Sequence, residues 1–374
     1  MAPSPKEATS ALTALGTGKE QKMHVGTQGS IRQHRRGGPE LSPEELDEMQ
    51  TQRLQFFSRY GVEHACAYHP THQRQQEHYS IWTVEDLEKT RDLYEKHGIS
   101  LDMVAMTLLD SSHVDRESRP SIMLGKSPER DRDIEAINEM TVNCAKAGIP
   151  AWKYNLSLLG VLRTGRTPGR GGSSYSTWKL NEAKPDTPLT QAGVVTEEMA
   201  WERITYLLDR VIPVCEEYKV RAACHPHDPG VPAEGYQGIE RVLGSFDGLK
   251  KLVSINESPY HGLNMCLGTM AENLDNPDEE IHDVIRYFGT RKKLFNIHFR
   301  NIKGGRNEFQ EVFVDNGDVD MLQATLTLAE VDYPYMLMPD HVPGHQDPAA
   351  GLQSHAFTYG YIKACVAAAE KMAG

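Results

Sequence analysis

The stretch ACHPHDPG, Ala223 to Gly230, sets two histidines and an aspartate around two prolines, directly after the run YKVRAA. Proline brings no amide hydrogen to a ladder, so the segment reads as a strand that stops pairing and starts presenting side chains, His225 first. Three later runs end in the same way. NMCLG carries Cys266, NIHFR carries His298 and MLMPDH carries Asp340. One histidine or cysteine on a strand is ordinary core or surface. Together the four make a donor set of two nitrogens, one sulfur and one oxygen, which suits a single divalent ion with positions left over for substrate or water. Cysteine favours softer ions such as zinc, whereas the carboxylate and the open positions also suit manganese, iron, cobalt or nickel. His227, Asp228 and His341 stand beside these ligands and are the acid–base candidates.

Such a set has meaning only if the chain brings it together. From Lys22 onward short β-type runs alternate with helical periods. SPEELDEMQTQRLQFFSRYG has Ser42 as N-cap and acidic residues in its first turn, and TVEDLEKTRDLYEKHG has Thr83 and Asp86 in a capping pattern. Strands are expected near 23, 62, 101, 151, 220, 262, 294 and 334, each followed by a helix, with later helices near 236–246, 277–288, 319–330 and 353–372. Eight such repeats fit a (β/α)8 TIM barrel better than an open doubly wound sheet. Barrel enzymes keep their chemistry at the C-terminal strand ends, where His225, Cys266, His298 and Asp340 would converge. Residues 1–22, rich in Ala, Ser, Thr, Pro and Gly, read as a disordered arm, and 23–374 as one catalytic barrel with a long polar loop at about 160–195. On the fourth strand Trp152 and Tyr154 alternate with Lys153 and Asn155, so only one pair faces the interior. Facing inward, the aromatic pair would stack on a sugar ring; with the other pair inward, Asn155 would offer the sugar a polar contact, and the sequence leaves the choice open.

A formal charge of -12 and a pI near 5.7 exclude broad contact with nucleic acid or anionic lipid. No apolar run approaches the ~20 residues of a membrane helix. The 6 cysteines have no close pairs, so neither a disulfide framework nor a CxxC zinc or redox site is expected. These features suggest a cytoplasmic protein, although a cleaved export signal would leave no trace.

RAACHPHDPG, SPYHGLNMCLGT, NIHFRNIK, NGDVDM and MPDHVPG, in this order, resemble the signatures of the mannonate dehydratase family, a branch of the xylose-isomerase-like barrels. AKAGIPAWKYNLSLLGVLRT resembles that family's fourth-strand segment, and the likeness runs from about residue 23 to 365. It implies one divalent ion of the Mn2+ type, with Fe2+, Co2+, Ni2+ or Zn2+ as alternatives, at His225, Cys266, His298 and Asp340. It also implies a small carbohydrate substrate, a homo-oligomer (dimer or tetramer), and loss of water from mannonate to give 2-keto-3-deoxygluconate. His341 matches the family's catalytic histidine. Four departures stand out. Met338 replaces an arginine two residues before the metal aspartate, and His227 stands where an acid is usual. The seventh-strand motif is shortened. The tyrosine expected after the Asp-His pair has no counterpart, since Tyr359 and Tyr361 fall too far along the last helix. Arg300, Arg163, Arg166 or Arg170 would then have to hold a substrate carboxylate. Otherwise the substrate would be a neutral or 3-keto sugar, handled by a related lyase, isomerase or epimerase. A non-catalytic carbohydrate-binding barrel is the third reading, and the complete ligand set argues against it.

Overall fold

The computed structural model describes residues 23–29, 42–70, 81–184, 187–347 and 349–373. The N-terminal arm expected at 1–22 lies outside them. Eight parallel strands close a barrel: β1 (His24–Gly29), β2 (His64–Ala67), β3 (Ser100–Ala105), β4 (Ala151–Tyr154), β7 (Arg221–Cys224), β8 (His261–Cys266), β9 (Leu294–His298) and β12 (Met336–Met338). These are the eight strands expected from the sequence. Both helix starts hold as well: Ser42 and Thr83 each form a reciprocal capping box, with Glu45 and Asp86.

Two expectations are corrected. The segment at 160–195 is more than a loop: it forms β5 (Gly165–Pro168) and β6 (Ser174–Lys179). These join β10 (Asn301–Gly305) and β11 (Glu308–Val312), which follow the seventh barrel strand, in an antiparallel sheet ordered β10-β11-β6-β5. Its polar composition is that of a sheet with one wet face, while Trp178 of β6 pairs with Phe309 of β11 and both are buried. The helix expected near 236–246 lies instead at Phe246–Ser254, capped by Ser245. The residues before it turn back on themselves, with Tyr236 and Ile239 bridged, because Gly235 and Gly238 take positive φ there.

Inside the barrel, Cys66, Met103, Ala151, Ala223, Phe295, Met336 and Met338 form an apolar plug. β1 makes room for it with glycine: a Cβ on Gly26 would stand 2.8 Å from the Met336 side chain. Outward-facing strand residues pack against the helices in the main core. No helix among the described residues is long and apolar enough to cross a membrane.

Candidate active site

The ligand-type residues sit where four strands end. Parallel pairing continues one step past Cys224, with the His225 amide donating to the Tyr154 carbonyl at 2.9 Å, and Pro226 follows. His225 Nδ1 donates to the Pro226 carbonyl at 2.7 Å, which fixes the tautomer and leaves the Nε2 lone pair available. Cys266 ends β8 and caps the short helix Leu267–Ala271, its sulfur accepting from the Thr269 amide at 3.3 Å. His298 ends β9, and Asp340 follows β12.

One ligand atom from each of these four residues lies within 4.8 Å of the others. That spacing brings all four near the reach of one shared ion, whose bonds to such atoms are about 2.0–2.3 Å. His298 Nδ1 is buried without a hydrogen-bond partner, 3.5 Å from Asp340 Oδ1. A buried ring nitrogen with no hydrogen-bond partner, facing a carboxylate, fits a pair that shares a cation. Burial, then the neighbouring His298, pushes His225 down to about 3, and burial lowers His298 too, so both imidazoles are in the neutral, ligating form. Burial pushes the Cys266 thiol up, so ion binding there would release a proton. The donor set fits one divalent ion.

His341 lines the same cavity, whose volume is about 220 Å³. Its Nδ1 lies 2.7 Å from Glu311 Oε1, and its Nε2 lies 4.0 Å from Asp340 Oδ1. Burial pushes this imidazole down, but Asp340 and Glu311 outweigh it and raise it to about 9. Arg300 Nη1 also lies 2.9 Å from His341 Nδ1. A histidine held by a carboxylate, at the edge of a four-donor site, is placed to pass a proton.

Other sequence candidates are engaged by the protein itself. Arg300 and Arg163 were expected to contact substrate, but protein carboxylates occupy them. Arg300 bonds Asp228 at 2.9 Å and Glu272 and Glu311 at 2.8 Å each, with Thr269 at 2.7 Å. Arg163 pairs with Asp228 at 2.7 Å and also with Glu311. Gly268 makes this packing possible, since a Cβ there would stand 2.4 Å from Arg300 Nε. Asp228 is therefore a charge partner and no proton carrier: burial pushes it up, but Arg163 and Arg300 outweigh it and hold it well below the carboxylate range. His227 lines the cavity, yet its ring is spent on backbone. Nε2 lies 3.0 Å from the Leu156 carbonyl, and Nδ1 accepts from the Leu243 amide at 3.3 Å. Burial lowers it to about 3, so it is a neutral brace between two loops and carries no acid role.

On β4 the alternation resolves against the aromatics. Trp152 and Tyr154 face the helix layer, where the Tyr154 hydroxyl meets His261 Nε2 at 2.8 Å, while Lys153 and Asn155 line the cavity. Met338 belongs to the apolar plug. The Tyr359 hydroxyl lies 2.6 Å from that of Thr27, in the wall and away from the cavity. The sequence reading missed Gln28, Glu272 and Glu311. Glu311 was accessible: KGGRNEFQEVFV is a glycine-rich turn followed by an alternating run, a hairpin signal.

A closed parallel barrel with such a site at its strand ends belongs to the xylose-isomerase-like class of TIM barrels. In fold it matches a mannonate dehydratase from Streptococcus suis serotype 2 at TM-score 0.75 and 22% identity, covering 94% of this chain and 96% of that one. It also matches an L-ribulose 3-epimerase at TM-score 0.55 and 12% identity, covering 94% and 97%. In sequence it is 29% identical over 333 residues to a mannonate dehydratase of Thermotoga petrophila, covering 78% of this chain and 88% of the relative. It is 27% identical over 288 residues to mannonate dehydratase 2 of Halalkalibacterium halodurans, covering 70% and 79%. The family model of D-mannonate dehydratase (UxuA) matches residues 177–373. The chain belongs to that family of hydro-lyases.

Proposed function

We propose that the protein is a divalent-metal-dependent dehydratase acting on a sugar acid, D-mannonate, and yielding 2-keto-3-deoxygluconate. The observation that carries this reading is the convergence of His225, Cys266, His298 and Asp340, with the His341–Glu311 pair beside them. In the reaction the C2 hydrogen leaves as a proton and the C3 hydroxyl leaves with a proton as water. The C2–C3 enol that remains rearranges to the 2-keto-3-deoxy acid. An ion held by the four residues would stabilise negative charge on substrate oxygens. His341, cationic and held at Nδ1 by Glu311, supplies the proton to the departing hydroxyl through Nε2. Glu311 is held down to about 2: burial pushes it up, and His341, Arg300 and Arg163 outweigh this, so it keeps its charge and holds the ring in place. Arg163 and Arg300 tie the extra sheet, through Glu311, to the Asp228 loop and to Glu272. This reading predicts that metal-loaded protein converts D-mannonate to a 2-keto-3-deoxy acid. No turnover after loading with Mn2+, Fe2+, Co2+, Ni2+ or Zn2+ would overturn it.

One observation favours a second reading. Arg163 and Arg300, buried near the cavity, are committed to protein carboxylates, and Met338 is apolar. A metal-dependent lyase, isomerase or epimerase for a neutral or 3-keto sugar would need no carboxylate clamp. Turnover of such a sugar in preference to D-mannonate would establish it.

A further inference from the structure

Among the described residues, Lys153 is the cavity-lining cation that no protein carboxylate claims. It is 4% exposed, lies on the inward face of β4, and among the described residues has no carboxylate oxygen within 4.0 Å. Burying an ammonium without a counter-charge is costly, so folded chains seldom keep one without a use. The groups it bonds are uncharged. Nζ donates to Gln28 Oε1 at 2.5 Å and to the Tyr68 hydroxyl at 2.8 Å, and lies 4.7 Å from the centre of the Tyr68 ring.

These contacts form an ordered brace. Gln28 Nε2 donates to Asp340 Oδ1 at 2.9 Å, so the amide must turn its oxygen toward Lys153. The Tyr68 hydroxyl donates to that same oxygen at 3.1 Å and accepts from Lys153. An ammonium has three N–H donors, and two are accounted for. The third has no partner among the described residues and is available to the cavity. Burial pushes the Lys153 pKa down, but Tyr68, then Cys66 and Asp340, outweigh it, so the group keeps its charge. Arg241, another buried cation, differs: it is spent on the Pro229 and Gly160 carbonyls and the Ser157 hydroxyl, holding loops together.

We propose that Lys153, braced by Gln28 and Tyr68, is the receptor for the substrate's carboxylate. The site thereby selects sugar acids over neutral sugars. This assignment rests on the dehydratase reading and deepens it. Gln28 links the ammonium directly to the ligand Asp340, so a carboxylate held there would lie beside the ion site, as C1 must when C2 is the reacting carbon.

The test is calorimetric titration of metal-loaded wild type, Lys153→Met and Lys153→Arg with D-mannonate and with D-mannitol, the polyol that lacks the carboxylate. Circular dichroism and metal content check that each variant is folded and loaded. Wild type should prefer mannonate. Lys153→Met should weaken mannonate binding by about 10- to 100-fold and leave mannitol unchanged, the range expected for one charge-assisted hydrogen bond. Lys153→Arg should recover part of the loss. If Lys153→Met does not fold, the wild-type preference and the Lys153→Arg titration still decide. Equal binding of the two ligands by wild type, binding of neither, or unchanged mannonate binding in Lys153→Met would overturn the assignment. Turnover separates the two claims. Wild type that dehydrates mannonate while Lys153→Met keeps its KM would refute the receptor and leave the dehydratase reading standing. A Lys153-dependent preference without turnover would refute the dehydratase reading alone.

Discussion

His341 and Asp340 are adjacent in sequence, yet their environments give them different tasks. Asp340 faces His298 and Cys266 across the four-donor site, at 3.5 and 3.6 Å, whereas His341 turns its Nδ1 to Glu311. Replacing His341 by Gln removes the proton without emptying the ion site. It should lower kcat by about 10²- to 10⁴-fold with metal content unchanged, a comparison that steady-state kinetics and elemental analysis make together. Glu311→Gln removes the charge that holds the ring and should cost less, about 10- to 100-fold in kcat with little change in KM. A Glu311→Gln enzyme with wild-type kcat would show that the pair serves only packing.

Strands and their loops decide which of these residues meet. β1 gives up a side chain at Gly26 so that Met336 can fill the barrel. Gly26→Val should overpack the plug and destabilise the fold by about 1–3 kcal/mol, visible as a lower denaturation midpoint. The barrel and the meeting of four ligand-type residues at its strand ends were legible in the sequence because each depends on local signals: caps, alternating elements, and a ligand-type residue at the end of an apolar run. What was not legible depends on contacts distant in the chain. Glu311 reaches His341 only because β11 pairs with β6, an element read as a loop. Arg163 and Arg300 looked free because their partners, Asp228, Glu272 and Glu311, come from three other segments. On β4 the alternation offered two faces, and only the closed barrel shows that Lys153 and Asn155 face inward.

Across the whole molecule, buried histidines link stability to pH. His261 is fully buried, with Nε2 at 2.8 Å from the Tyr154 hydroxyl, and burial, then Lys293, lowers its pKa from 6.5 to about 3. The unfolded chain therefore takes up this proton first as pH falls. The contribution is complete above the ordinary histidine value and is lost progressively from there toward pH 3. This residue alone should cost about 2 kcal/mol between pH 7 and pH 5. His261→Asn should flatten that slope, whatever it does to stability at pH 7, and an unchanged slope in denaturant titrations would refute the assignment. The proposed function depends on the four strand ends acting as one site. The most direct test is elemental analysis of metal-loaded wild type beside Cys266→Ser, Asp340→Ala and His341→Gln. The account predicts close to one divalent ion per chain in wild type and His341→Gln, and a marked loss in the other two. Wild type that holds no ion after loading, or ligand variants that hold as much as wild type, would contradict it.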